Sequence, residues 1–155
     1  MRLKFHQRFL QRGYLAYSRL SRGMTLGVRA MLLKDDHVIL VKHSYVSGWY
    51  FPGGGVEWGE TLGVALGREL EEEVGVRILE APQLHNVYAN FASFPGDHIA
   101  LFHVPRWERN GNYCRPREIA EAELFDRNAL PDGTDPGTRA RLDEIFDGGA
   151  KREIW

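Results

Sequence analysis

Cysteine is almost missing from this chain. Cys114 is the only one in 155 residues, which excludes an internal disulfide and any metal site built from several thiolates, and fits a reducing cytoplasm. Net charge is equally scarce: 20 Lys and Arg against 21 Asp and Glu leave −1. The chain as a whole therefore exerts no pull on DNA or an anionic membrane, no DNA partner is expected, and a polyanionic ligand must be held by local groups. Long apolar runs are absent too. None approaches the roughly 18 residues of a membrane span, and the basic start Met1 to Arg8 is not followed by an apolar core, so neither a transmembrane segment nor a secretion signal is expected. There is no internal repeat and no low-complexity stretch, and the length suits one domain with a single core.

Acids and glycines are concentrated in one segment, Gly54 to Val76. Residues three and four apart share one side of a helix, so Glu69, Glu72 and Glu73 project together from about a 100° sector. Like charges that close repel unless a cation lies between them, and oxygen donors in this number suit magnesium or manganese better than zinc. A merely solvated acidic face would account for the acids but not for the spaced glycines or for Arg68. The same segment reads as a helix from about Thr61 to Val74. Leu62, Leu66, Leu70 and Val74 form its buried stripe and Gly75 a left-handed stop. Gly63 and Gly67 weaken such a helix, and a close backbone approach is expected to compensate.

With Gly54, Glu60, Arg68, Glu69, Leu70, Glu72, Glu73, Gly75 and Val76, the segment matches Gly-x5-Glu-x7-Arg-Glu-U-x-Glu-Glu-x-Gly-U, where U is a bulky aliphatic residue. It resembles the Nudix box with no gap or substitution. The resemblance implies an α/β fold, a Nudix-type α/β/α sandwich with a mixed central sheet. It also implies Mg2+ or Mn2+-dependent hydrolysis of a diphosphate bond in a nucleoside diphosphate linked to another group, a nucleotide or nucleotide sugar being favoured. By the same resemblance Glu69 and Glu73 are the principal metal ligands, Glu72 a further ligand or a water-orienting base, and the Gly54 carbonyl an additional oxygen. The chemistry is consistent, since a carboxylate cluster can hold an anionic diphosphate only through cations.

Arg68 precedes Glu72 by four residues and Glu71 by three, a spacing suited to holding a carboxylate in place. Glu71 points to the other side of the helix, toward solvent. Glu60 has two readings, a capping carboxylate at the positive helix end or a metal contact. Members of the family often take one more acid from outside the helix; Glu57, Glu118, Glu121 and Asp97 are the candidates. For the substrate, Arg29 interrupts an apolar run and needs an anion, either a phosphate or one of the protein's own acids. His43, with Lys42, stands near the glycine loop as a phosphate contact or a surface histidine. Trp49, Phe51, Tyr88, Phe91 and Phe94 are stacking candidates of which most should be core. Positions past the box where relatives acting on ADP-ribose or diadenosine polyphosphates carry a proline or a tyrosine hold Phe91 to Phe94 instead, so the leaving group stays open. Isoprenoid diphosphate isomerisation would need a well-placed cysteine, which isolated Cys114 does not offer. A catalytically silent nucleotide-sensing or partner-binding module is the other alternative, although such modules commonly lose a box glutamate.

Around the box, residues 1–22 read as a basic amphipathic helix packing on its own domain, on a second copy in a homodimer, or on a membrane surface, 23–150 as the Nudix domain and 151–155 as a tail. Thr25 to Lys34 and His37 to His43 suggest a hairpin around Asp35-Asp36. Further strands are expected at Gly48 to Phe51, Val76 to Leu79, Leu84 to Ala92, Ile99 to Val104 and Ile119 to Phe125. Asp135 and Pro136 mark the start of a closing helix that runs to Phe146.

Overall fold

The computed structural model describes residues 23–155; the expected N-terminal helix lies outside them. Eight strands and two helices follow in the order β1 (Thr25–Met31), β2 (Leu33–Lys34), β3 (His37–His43), α1 (Leu62–Val74), β4 (Val76–Ile78), β5 (Gln83–Ala89), β6 (Asp97–His103), β7 (Trp107–Arg109), β8 (Ile119–Asp126) and α2 (Pro136–Phe146). They form three ladders, ordered β1-β6-β5, β2-β3-β8 and β4-β7. The first ladder is mixed: β1 runs parallel to β6, and β5 antiparallel to it.

The expected first hairpin shrinks to Leu33 and Lys34 opposite Val38 and His37, turning at Asp35 with φ 54°. Residues 25–31 pair instead with β6. Composition could not distinguish these partners, because the same apolar alternation satisfies either. β7 was not anticipated; its three residues pair with β4.

Apolar side chains collect on both faces of the strands. Ala65, Leu66, Leu70 and Val74 of α1 pack with Val28, Ala30, Ile39, Val41, Ala100 and Phe102. On the other side Leu142 of α2 packs with Met31, Leu40, Phe51, Tyr88 and Leu101. This is the expected helix, sheet and helix layering. The closing helix starts as expected, Asp135 accepting from the Thr138 N–H at 2.7 Å with Pro136 in the first position.

Residues 151–155, set apart by the sequence, belong to the packed body. Ala89 N–H donates to Glu153 O, Trp155 N–H donates to Ala89 O, and the Trp155 indole lies edge-on to Phe51 and Tyr88. Arg141 of α2, fully buried, donates to Glu144 at 2.8 Å and to Ile154 O at 2.9 Å beneath that tail. Among the described residues no helix is long and apolar enough to cross a membrane.

Candidate active site

The glycine loop is laid along the edge of β1. Ala30 and Val28 donate to Pro52 O and Gly54 O, both at 2.9 Å, and Val56 donates to Leu26 O at 2.9 Å. Gly53 takes φ 137° directly over Val28 O, where a side chain has no room. A Cβ on Gly54 would overlap the Glu69 carboxylate. The loop can therefore approach both the strand and the helix only because these residues lack side chains. Helix α1 begins at Thr61, whose hydroxyl accepts from Val64 N–H at 3.3 Å, and stops at left-handed Gly75. Its apolar stripe faces the core as expected, and that orientation turns Glu73 inward. Gly63 and Gly67 depart from expectation: among the described residues, nothing outside their own helix backbone lies within 4 Å of where either Cβ would be, so none of those residues supplies a close approach to offset their cost.

Glu73 is 8% exposed and accepts from Gly53 N–H at 2.7 Å. Burial pushes its pKa up to about 7; Gly53 N–H and Arg29 hold it down, while Glu69 and Glu118 add to the rise. Glu69 accepts from Arg68 Nη1 at 2.7 Å. Arg68 is the hub of the acids, donating from Nε and Nη2 to the two Glu60 oxygens at 2.9 and 3.0 Å and from Nη2 to Gly55 O at 3.1 Å. Its contact with Glu72, the one anticipated from spacing, is longer at 3.5 Å. Hydrogen bonding from Arg68, then from Glu57 N–H, lowers the Glu60 pKa to about 2, and Glu60 and Glu69 together raise that of Arg68. Glu60 is thus the arginine's partner; Thr61 provides the cap.

The three glutamates share a helix side, but they do not converge as the spacing suggested. Arg68 draws Glu69 toward Glu60, Gly53 holds Glu73 inward, and the Glu72 side chain is 59% exposed. Among the described residues, no three His, Cys, Asp or Glu side chains form a metal-holding group. The donor chemistry nevertheless fits a hard divalent cation: a buried carboxylate whose charge is costly, a second carboxylate pressed on Gly54, and the Gly54 carbonyl, which keeps a lone pair beyond its bond to Val28.

His43 reaches this group from the end of β3. Its Nδ1 is buried without a hydrogen-bond partner, 3.8 Å from Glu73 Oε1. Burial, then Arg29, lowers its pKa while that of Glu73 is raised, so we read the contact as a neutral pair and not a salt bridge. His43 is therefore not the surface histidine of the second reading. Arg29 is half-buried, and its one side-chain hydrogen bond is to Val28 O at 3.3 Å. Among the described residues it has no ion-pair partner, yet its charge is felt by His43, Tyr50 and Glu73. Of the outlying acids, Glu118 acts on both His43 and Glu73, and its carbonyl accepts from Ser44 N–H. Glu121 is paired with Lys42 at 2.9 Å. Asp97 ties Thr25 and Asn90 together at 2.6 and 2.8 Å, and Glu57 is exposed beside Glu60.

The expected strand Gly48 to Phe51 is reduced to single bridges from Trp49 to Thr134 and from Tyr50 to Val41, and Trp49 and Phe51 are buried in the core beneath α2, which corrects their candidacy for stacking on a base. Tyr113 was missed. Its hydroxyl donates to the Glu73 carbonyl, and its ring occupies the space a Cβ on Gly75 would need. It belongs to an aperiodic stretch in which nothing marks a partner.

The NUDIX domain profile matches residues 23–147. An ADP-ribose pyrophosphatase of Methanocaldococcus jannaschii is 28% identical over 131 residues, 83% of this chain and 77% of that protein. An 8-oxo-dGTP diphosphatase of Escherichia coli is 44% identical over 91 residues, 56% of this chain and 67% of that protein. A MutT NUDIX hydrolase from Burkholderia pseudomallei superposes with a TM-score of 0.68 at 24% identity, over 79% of this chain and 98% of that one, a likeness of fold.

Proposed function

This chain belongs to the Nudix family and is a Nudix pyrophosphohydrolase, and from that premise we propose that it cleaves the diphosphate bond of a nucleoside diphosphate linked to another group, with Mg2+ or Mn2+. Free nucleotides and nucleotide sugars are the favoured substrates, in line with the nucleotide substrates in the names of both relatives. The observation that carries this reading is Glu73, a buried carboxylate set against Gly53 and beside Glu69, where a negative charge is costly and a cation would offset the cost.

Glu69, Glu73 and the Gly54 carbonyl would hold the ion, with Glu72 as a further ligand. When bound, it would screen the phosphoryl oxygens and acidify a coordinated water. The rest is work for the side chains. Arg68 keeps Glu69 and Glu60 in place around the loop. Glu72, open to solvent, would orient the attacking water and take its proton, and Glu118 is the second acid within electrostatic reach of the site. Arg29, without an ion-pair partner among the described residues, would bind a phosphate of the substrate. His43, kept neutral, offers a hydrogen bond without repelling the ion. Water adds to one phosphorus, the bridging P–O bond breaks, and two phosphorylated products leave.

The test is a screen of nucleoside triphosphates, nucleotide sugars, ADP-ribose and dinucleoside polyphosphates with Mg2+ or Mn2+, comparing wild type with Glu73→Gln. At least one substrate should turn over, and the variant should lose most of that activity. No turnover, or equal turnover by the variant, would refute the assignment.

A further inference from the structure

A second pocket of about 570 Å3 lies between β2, β7 and β8, lined by Leu33, Lys34, Arg106, Trp107, Arg109 and Leu124 among others. On its β2 and β8 side it is set apart from Glu69 and Glu73. Leu33 and Lys34 pair with the His37 end of β3 and Leu124 sits opposite Ile39, whereas His43, at the far end of the same strand, reaches Glu73. The length of β3 puts about 20 Å between the two ends.

The pocket's charge is uncompensated. Lys34, Arg106 and Arg109 are exposed, and among the described residues none has an ion-pair partner. The one acid in the lining, Glu108, is engaged by Arg77 across the β4–β7 ladder. In a chain of net charge −1 this is a local concentration of cations, two of them guanidinium groups suited to phosphate oxygens. Trp107 supplies the other half. Its indole N–H donates to Leu33 O at 3.2 Å and it packs against the core under α1, so the ring is fixed where it lines the pocket, beside Leu33 and the exposed Leu124. A fixed aromatic flanked by aliphatic groups suits a planar base. The volume is within the range of small-molecule sites.

We propose that this pocket is a second, non-catalytic binding site for a nucleoside phosphate, with the phosphate held by Lys34, Arg106 and Arg109 and the base against Trp107. The assignment is independent of which diphosphate the glutamates cleave. A product of the chain's own reaction and an unrelated cellular nucleotide share this chemistry.

Binding of AMP, GMP, CMP and UMP would be followed by calorimetry in metal-free buffer on wild type, Glu73→Gln, Arg106→Ala/Arg109→Ala and Lys34→Glu. At least one nucleotide should bind wild type and Glu73→Gln with the same Kd. The double variant should bind it at least tenfold more weakly, Lys34→Glu should also weaken it, and neither should change the melting temperature. The matching nucleoside and inorganic phosphate should each bind less well than the nucleotide. Adding a product of turnover should compete with that nucleotide if the enzyme's own product is the ligand, and an absence of competition would assign the site to another nucleotide. No binding, binding that both charge variants leave intact, binding lost in Glu73→Gln, or phosphate alone binding as tightly as the nucleotide would overturn the proposal.

Discussion

Raising the pH of the metal-free protein from 4.5 to 7 should cost it stability that a Glu73→Gln variant does not lose. Glu73 has an ordinary pKa of 4.5 when unfolded and about 7 when folded. Between those values the folded state holds the proton more often than the unfolded chain does, so stability falls as pH rises through the window and levels off above it. At 1.36 kcal/mol per unit the full effect is about 3 kcal/mol, a large share of the 5–15 kcal/mol typical of a domain. Urea unfolding in chelator across pH 4.5 to 8, wild type beside Glu73→Gln, reads the difference directly. Saturating Mg2+ or Mn2+ should flatten the wild-type curve by stabilising the ionised carboxylate, and should leave the variant nearly unchanged. Identical pH slopes for the two proteins without metal would refute the reasoning, because burial would then not be raising this group's pKa.

Gly63→Ala and Gly67→Ala should each stabilise the protein by about 1 kcal/mol in chemical denaturation, since each adds a helix-favouring methyl group where the described residues leave open space. Arg68→Lys should weaken Mn2+ affinity by roughly 10–100-fold, measured by electron paramagnetic resonance, because an ammonium cannot bridge Glu60, Glu69 and Gly55 at once. Glu144→Ala should destabilise by about 3–5 kcal/mol in the same unfolding assay, because it strands the fully buried Arg141 charge.

Helix α1 was legible almost to the residue because local signals agree in it, an apolar stripe with a four-residue period and a terminal glycine, although the cap fell to Thr61 and not to Glu60. The closing helix was legible for the same kind of reason, through Asp135 and Pro136. What was hidden is non-local. Nothing in Thr25 to Met31 says that it pairs with residues 97–103, and nothing in the short run Trp107 to Arg109 predicts its partner in β4. The site divides along the same line. The spacing found the acids and Arg68, but it could not show that the arginine reaches eight residues back to Glu60 in preference to Glu72. Nor could it show that Tyr113 closes over Gly75 from a separate loop. His43 stayed between a phosphate contact and a surface histidine because its neighbour Glu73 is distant in sequence and adjacent in space.

The register of the ladders also bears on how quickly the protein acquires its site. Residue 25 lies opposite 97 and residue 37 opposite 126, so the two principal strand pairings each close a loop that contains all of α1. Helices form in about a microsecond, whereas pairings this remote in sequence must first overcome the entropy of loop closure and belong to the slowly folding topologies. Helix α1 can therefore be wound long before β1 exists as a surface for the glycine loop, and before β8 brings Glu118 toward His43. Turnover should consequently return later in refolding than helical circular dichroism does.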